Sequence, residues 1–200
     1  MKRITVYIIL FFAVFIWSLI NPHDYFTWFL EAAPAILFFL ILSLTYKKFK
    51  FSWFVYSFIL VHCFVLLIGA KYTYAEVPLF NYFKDAFGLE RNNYDKVGHF
   101  MQGFVPAFIA RELLVRLKVV NGKNWLKYIV VSICLAISAF YEFVEWWVSV
   151  ATGESADSFL GTQGYVWDTQ SDMLYATIGA IIAVMFFSRL HDMSMNKLKN

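Results

Sequence analysis

Six apolar stretches dominate the 200-residue sequence, and each is close to the length that crosses a bilayer as a helix. Such a helix needs about 20 predominantly apolar residues. Hydrophobic residues make up 60% of the chain and charged residues only 16%, whereas a soluble domain is about 25% charged. The sequence therefore predicts an all-α fold, a polytopic membrane helix bundle with residues 1–200 as one integral membrane domain. The six predicted transmembrane helices cover residues 4–20, 26–46, 51–70, 97–117, 125–147 and 172–190.

The distribution of Lys and Arg predicts the orientation of this bundle. Cytoplasmic loops of membrane proteins carry an excess of these residues. Here they cluster before the first span, between the second and third, between the fourth and fifth, and after the sixth, whereas residues 148–171 contain none. This alternation predicts that both termini are cytoplasmic. It also counts the fourth span as a crossing, although Arg111 and Glu112 interrupt it; Glu112 is expected to pair with Arg111 or Arg116.

Two outer connections have features of their own. Residues 78–87 place apolar side chains on one face after Pro78, which is typical of a helix lying at the membrane interface. An ordered loop is the alternative for this segment. Residues 148–171 are aromatic and contain several glycines, so they are predicted to fold as a cap over the outer face.

Acidic and imidazole side chains recur at the outer ends of four predicted spans. On the fourth span Asp95, His99 and Gln102 share one helical face, as Ser138, Glu142 and Glu145 do on the fifth. Because Lys and Arg alone determined the orientation, the common depth of these polar groups is independent evidence for one site. The groups are Glu31 in the second span, His99 in the fourth, Glu142 and Glu145 in the fifth, and Asp168 and Asp172 at the start of the sixth.

The chemistry of these residues favours a cation site. A carboxylate in hydrocarbon is costly unless it is paired or hydrated. Glu142 and Glu145 lie one turn apart and repel each other, so either one stays protonated or a cation lies between them. Carboxylate and imidazole ligands together suit Mn, Fe or Zn, and carboxylates alone suit Mg or Ca. The candidate metal ligands are His99, Glu142, Glu145, Asp168 and Asp172, and the candidate catalytic residues are Glu142, Glu145 and His99.

Each of these residues also has a purely structural interpretation. Asp168 could cap the sixth helix, Glu145 could face lipid headgroups, and Glu31 could be hydrated near the interface. His62, in the middle of the third span, is predicted to form a helix–helix hydrogen bond rather than to bind a ligand. Taken together the residues favour a functional cluster, because ionisable groups inside a membrane are usually functional.

Three segments carry a resemblance to known proteins: "YDKVGHFMQGFVPAFIARELL", "SAFYEFVEWWVSVATGESADSFLGTQG" and "VWDTQSDMLYATIGA". They resemble the YjdF-like family of bacterial inner-membrane proteins, which implies an inner-membrane location but no particular activity. The chain is more distantly similar to VanZ-like membrane proteins, which are associated with glycopeptide-antibiotic resistance. That likeness rests on a "DKxxHF" helix start, a helix with Glu, and paired Asp before a last helix with Gly. It implies a shared core of the last three helices, although "EFVEWW" lacks the Gln that usually follows the VanZ-like Glu.

Three classes of function are compatible with the sequence. The favoured class is a metal-binding protein or enzyme whose outer site acts on a lipid or cell-envelope substrate, with one carboxylate as base. A transporter component would need a polar path across the membrane, and the inner halves of the fifth and sixth spans offer few polar groups. A structural or assembly protein would have fully paired carboxylates and no cavity. Membrane lipids are the expected partners, and nucleic acid is not, because the basic residues serve topology.

Overall fold

The computed structural model describes residues 3–152 and 162–198, which form helices and short connections without any β-strand. This confirms the predicted all-α class. The helices are α1 (Arg3–Leu19), α2 (Tyr25–Thr45), α3 (Trp53–Tyr72), α4 (Pro78–Phe87), α5 (Tyr94–Arg116), α6 (Lys123–Thr152), α7 (Asp168–Phe186) and α8 (Ser188–Asn196). A short 3₁₀ turn, Tyr74–Glu76, precedes α4.

Four helices, α2, α3, α6 and α7, are long and apolar enough to cross a membrane. Helix α1 is apolar but has only 17 residues. Helix α5 has 23 residues, but its composition is more polar than that of the other four. The structure therefore supports four of the six predicted spans, and the crossings by α1 and α5 stay predictions.

Local sequence signals account for where several helices begin and end. Asp24 caps α2, because its carboxylate accepts a hydrogen bond of 2.7 Å from the Thr27 N–H. This hydrogen bond lowers the pKa of Asp24. Helix α4 begins at Pro78 and ends at Phe87, and it is capped by Gly88, whose φ of +62° suits glycine. The predicted helix at residues 78–87 is thus confirmed, and its location on the membrane surface stays a prediction.

Helix α5 lies at the centre of the bundle. It packs on α3 on one side and on α6 and α7 on the other, while α1 and α2 pack against α3. The closest approach joins α5 and α7: a Cβ on Gly103 would overlap the carbonyl oxygen of Ala176, and one on Gly179 would overlap that of Phe100. These glycines therefore allow the two backbones to touch, which also brings the beginnings of both helices together.

The two described ends of the chain lie at the same end of the bundle. Ser52, just before α3, contacts Glu112 near the end of α5, so α3 and α5 are antiparallel. Tyr7 in α1 is hydrogen-bonded to Ser57 in α3 at 2.7 Å, and the Phe54 N–H donates to Ser194 in α8. We call this the inner end and the opposite one, where α5 and α7 begin, the outer end.

Two boundaries differ from the prediction. Helix α6 continues to Thr152, so the first residues of the predicted cap extend this helix; residues 153–161 of the cap lie outside the described residues. The predicted sixth span, residues 172–190, covers two helices, because α7 ends at Phe186 and α8 starts at Ser188.

Candidate functional site

Three aspartates surround the ammonium group of Lys96 at the outer end. Its Nζ lies 2.6 Å from Asp172 Oδ1, 2.7 Å from Asp168 Oδ1 and 3.4 Å from Asp95 Oδ2. Arg91 adds a second cation 2.7 Å from Asp168 Oδ1. The three carboxylates and Lys96 are all buried. These ion pairs hold the beginning of α5 against the beginning of α7.

The opposite oxygens of two of these aspartates converge on His99. Its Nε2 lies 3.3 Å from Asp95 Oδ1 and 3.8 Å from Asp172 Oδ2. Ligand atoms of the three residues lie within 4.8 Å of one another, and we call them the metal triangle. The other ring nitrogen, Nδ1, is 3.1 Å from Gln102 Oε1. When Nδ1 donates its proton to Gln102, Nε2 either carries a second proton, which faces Asp95, or presents its lone pair to a cation between the two carboxylates.

Glu142 in α6 lies beside this triangle. It is buried, and its Oε1 is 4.0 Å from His99 Nδ1. Among the described residues, this Oε1 has no hydrogen-bond partner, and neither has the hydroxyl of Ser138 one turn earlier. A buried carboxylate oxygen without a partner is unfavourable for stability.

The metal triangle fits a divalent cation by three criteria. Two carboxylates and one imidazole are donors that Mn, Fe and Zn accept. The hydrogen bond from His99 to Gln102 and the ion pairs to Lys96 provide the outer contacts that usually orient metal ligands. The local charge is also unbalanced, since four carboxylates surround only two permanent cations. The carboxylates are Asp95, Asp168, Asp172 and Glu142, and the cations are Arg91 and Lys96.

The five residues predicted from the sequence occupy different places in this arrangement. His99 and Asp172 form the metal triangle, and Glu142 lies next to it. Asp168 is not the cap of α7, which is Trp167, and its carboxylate is held by ion pairs. Glu145 is half-buried and lines a neighbouring cavity.

The sequence does not reveal the contacts of three further residues at the outer end. Asp95 was placed on the face of His99 but not among the ligands, although carboxylate and imidazole four residues apart on a helix are a usable signal. Arg91 gave no signal, because it lies in the connection before α5 and only the fold brings it to Asp168. Glu31 points to the connection after α3, where its Oε1 accepts hydrogen bonds from Thr73 and Tyr74.

A cavity of about 830 Å³ lies between α2 and α6, with α3 and α5 behind it. Acidic and imidazole residues line its outer end, and apolar residues such as Leu113 and Ile133 line its inner end. Exposed apolar side chains, including Leu37 and Phe140, form its rim. The acidic and imidazole residues of the outer lining are Glu31, Asp95, His99 and Glu145, and Tyr74, Gln102 and Tyr141 also line the cavity. No Lys or Arg of the described chain lines the cavity.

His62 also lines this cavity, and its predicted helix–helix hydrogen bond is absent. The side chain is only 2% exposed, yet neither ring nitrogen has a hydrogen-bond partner within the described chain. Its ring packs against Phe38 at a centroid distance of 5.5 Å. The prediction was wrong because a midspan histidine can face a cavity as well as a neighbouring helix.

A second buried cluster at the inner end provides a contrast. Glu112 is completely buried and accepts hydrogen bonds from the Ser52 N–H at 2.8 Å and the Ser52 hydroxyl at 2.6 Å. It also contacts Arg116 at 2.7 Å and His191 Nε2 at 3.0 Å, so the predicted ion pair of Glu112 is confirmed with Arg116. Every oxygen of this carboxylate has a partner, as expected of a structural cluster.

Comparisons with known proteins place the chain in a family. The family described as "Predicted membrane protein (DUF2238)" matches residues 3–193. The chain belongs to this family. It is also 45% identical to "Inner membrane protein YjdF" of Escherichia coli (strain K12) over 178 residues, which cover 89% of this chain and 85% of that protein. No solved structure matches the chain.

Family and relative agree on location. The apolar helices and the similarity to an inner-membrane protein establish a bacterial membrane protein, as the sequence predicted. Neither description states an activity. The likeness to VanZ-like proteins stays a prediction.

Proposed function

We propose that this protein binds a divalent metal ion at the metal triangle and hydrolyses a lipid or lipid-linked cell-envelope molecule there. The observation that carries the proposal is the convergence of Asp95, His99 and Asp172 within 4.8 Å, beside a buried Glu142 whose Oε1 has no partner in the described chain. The adjoining cavity gives an apolar molecule access to Asp95 and His99, which line its outer end, because its rim residues are apolar and exposed.

Each residue of the site has a distinct task in this proposal. The bound metal would supply a Lewis acid and lower the pKa of a bound water. Gln102 fixes the ring of His99 through Nδ1, and Lys96 holds the second oxygens of the aspartates. Glu142 is the proton acceptor, because it is a buried carboxylate 4.0 Å from His99 whose Oε1 has no hydrogen-bond partner in the described chain. Glu145 contacts the substrate headgroup in the cavity.

We also infer that the chain crosses the membrane six times with both termini in the cytoplasm. The alternating helix directions and the shared inner end of α1 and α8 support this topology. Helix α5 can cross despite its charges, since it is covered by α3, α6 and α7. Alkaline phosphatase fusions after Glu90 should be active, and fusions after Lys48 or Asn121 inactive. The opposite pattern would refute the orientation.

A non-catalytic structural role is the second candidate, and one observation favours it. Lys96 already pairs with three aspartates, and a protonated His99 would pair with two of them. The cluster would then tie α5 to α7 without any metal. A transporter component is less well supported, because the inner end of the cavity is apolar.

Metal analysis separates these candidates. Protein purified without chelator is compared with His99→Ala and Asp172→Asn, and Asp192→Asn serves as a control at the inner end, where Asp192 pairs with Arg111. We expect stoichiometric metal in the wild type and the control and its loss in both site variants. A metal-free wild type, or equal metal in Asp172→Asn, would overturn the proposal.

Hydrolysis is tested separately with Glu142→Gln. This change removes the proton acceptor and leaves the metal triangle intact, so metal content should persist while turnover of envelope lipids falls by about 10²–10⁴-fold. Glu145→Gln should mainly weaken substrate binding, because Glu145 lines the cavity rather than the triangle. Unchanged turnover in Glu142→Gln would exclude its role as base.

A further inference from the structure

The cavity contains a second polar level that lies deeper in the bundle than the metal triangle. The ring of Tyr74 packs between Gly69 of α3 and Gly98 of α5, so these two glycines lie at the same depth. His99 is one residue inward from Gly98, and His62 is seven residues inward from Gly69. At about 1.5 Å per residue, His62 lies roughly 9 Å deeper than His99.

His62 is built into the cavity wall without a partner. The side chain is only 2% exposed, and both ring nitrogens lack a hydrogen bond within the described residues. Burying an imidazole without a partner among apolar groups is unfavourable. A neutral imidazole offers one N–H donor and one acceptor. The described residues supply neither of the partners that this imidazole requires, although its side chain lines the cavity.

The outer end of the same cavity selects for positive charge. Glu31, Asp95 and Glu145 line it, and no Lys or Arg of the described chain does. Glu31 is 2% exposed, and its Oε2 has no hydrogen-bond partner among the described residues. An ammonium group would satisfy this oxygen and reduce the repulsion between the carboxylates. Between the two polar levels Gln102 also lines the cavity, and inward of His62 the lining is apolar.

We propose that the cavity binds an ester-linked glycerophospholipid with an amine headgroup. The ammonium contacts Glu31 and Glu145, an ester carbonyl accepts a hydrogen bond from His62, and the acyl chains lie between α2 and α6. Ester carbonyls lie on the chain side of the headgroup, as His62 lies inward of His99. The phosphate of this lipid would lie at the metal triangle, and that placement rests on the proposed function. The contacts of the ammonium and of the ester do not depend on the proposed function.

Other lipids fit this cavity less well. An ether-linked lipid or a polyisoprenoid has no carbonyl at the depth of His62 and leaves its N–H unpaired. A lipid with a purely anionic headgroup meets the carboxylates of Glu31 and Glu145 without a compensating cation. Both differences can be measured with lipids whose chains are identical.

The experiment measures binding of diester and diether phosphatidylethanolamine with matched chains by native mass spectrometry of the purified full-length protein. One hydrogen bond corresponds to about 2- to 12-fold in affinity, so the diester should bind tighter by that factor. His62→Leu should abolish the difference, and His62→Gln, which keeps a donor, should retain part of it. His23→Leu, a change at an exposed histidine, should leave the difference unchanged.

Headgroup selection is measured in the same way. Phosphatidylethanolamine should bind tighter than phosphatidylglycerol of equal chains, and Glu31→Gln should reduce this preference. Equal binding of diester and diether by the wild type, or a difference that persists in His62→Leu, would overturn the ester contact. Tighter binding of phosphatidylglycerol would overturn the amine headgroup.

Repeating the measurements with chelator separates this inference from the proposed function. If the wild type holds no metal but keeps both lipid preferences, the metal site fails and the lipid assignment stands. If metal binds at the triangle and neither preference is seen, the lipid assignment fails alone. The wild-type comparison needs no variant, so a folding defect of His62→Leu does not prevent a decision.

Discussion

Two buried glutamates at opposite ends of the bundle should respond differently to the same Glu→Gln substitution. Glu112 has no exposed surface and is held by Ser52, Arg116 and His191. Removing one partner of a buried charged network costs about 3–5 kcal/mol. At about 2–4 °C per kcal/mol for a chain of this size, Glu112→Gln should lower the Tm by at least about 6–12 °C.

Glu142→Gln should leave stability nearly unchanged. The Oε1 of Glu142 has no hydrogen bond to lose within the described chain, and the substitution removes one of several carboxylates that repel each other. We expect a change within about 1 kcal/mol, or about 4 °C in Tm at most. Slight stabilisation would also agree with this reasoning, because functional residues often reduce stability.

The assay is thermal unfolding of both variants in one detergent, followed by tryptophan fluorescence, with chelator present so that metal binding does not contribute. Asp192→Asn serves as a control, since this carboxylate is about half exposed and contacts Arg111 at the inner end. It should change the Tm little. If Glu142→Gln lowers the Tm as much as Glu112→Gln, Glu142 is structural and the functional interpretation is refuted.

Three further predictions concern the fold. Gly103→Val should push α5 away from α7, because a Cβ there meets a backbone carbonyl, and both Tm and metal content should fall. Asp24→Ala should cost about 1 kcal/mol at neutral pH. Because the Thr27 N–H lowers the pKa of Asp24, this cost should be full above the unfolded carboxyl pKa and fade as pH falls through the folded one. Cys63 and Cys134 are buried, so maleimide should label neither in folded protein.

The helix positions could largely be predicted, because the thickness of a bilayer sets the length of an apolar run. Observed and predicted bounds agree within a few residues for most helices. Helix α5 was the weakest predicted span, and it occupies the centre of the bundle. The same cause explains both facts: an otherwise apolar helix that carries Lys96, His99 and Glu112 needs neighbouring helices that pair these groups.

The residues of the outer cluster could be predicted from the sequence, but the ion pairs that they form with one another could not. Asp95 and His99 share a helical face that the sequence reveals. The choice of Lys96 and Arg91 as partners of Asp168 depends on how α7 is rotated against α5, and apolar periodicity does not determine that rotation in a bundle surrounded by lipid.

His62 illustrates the same limit. A polar residue in the middle of an apolar span signals a role, but the sequence does not distinguish a helix contact from a cavity. Only the separation of α2 and α6 leaves the His62 side chain facing a space. The partner of Glu31 could not be predicted either, because its hydrogen bond with Thr73 joins residues 42 positions apart in the sequence.

Metal-dependent thermal stability tests the central claim most directly. A ligand that binds only the folded state at 100 times its Kd stabilises by about 2.7 kcal/mol, which is about 5–11 °C for this chain. Titration with Mn²⁺ or Zn²⁺ should raise the Tm of the chelator-treated wild type by this amount and leave His99→Ala and Asp172→Asn unchanged. A wild type without a shift, or site variants that shift equally, would contradict a metal centre at Asp95, His99 and Asp172.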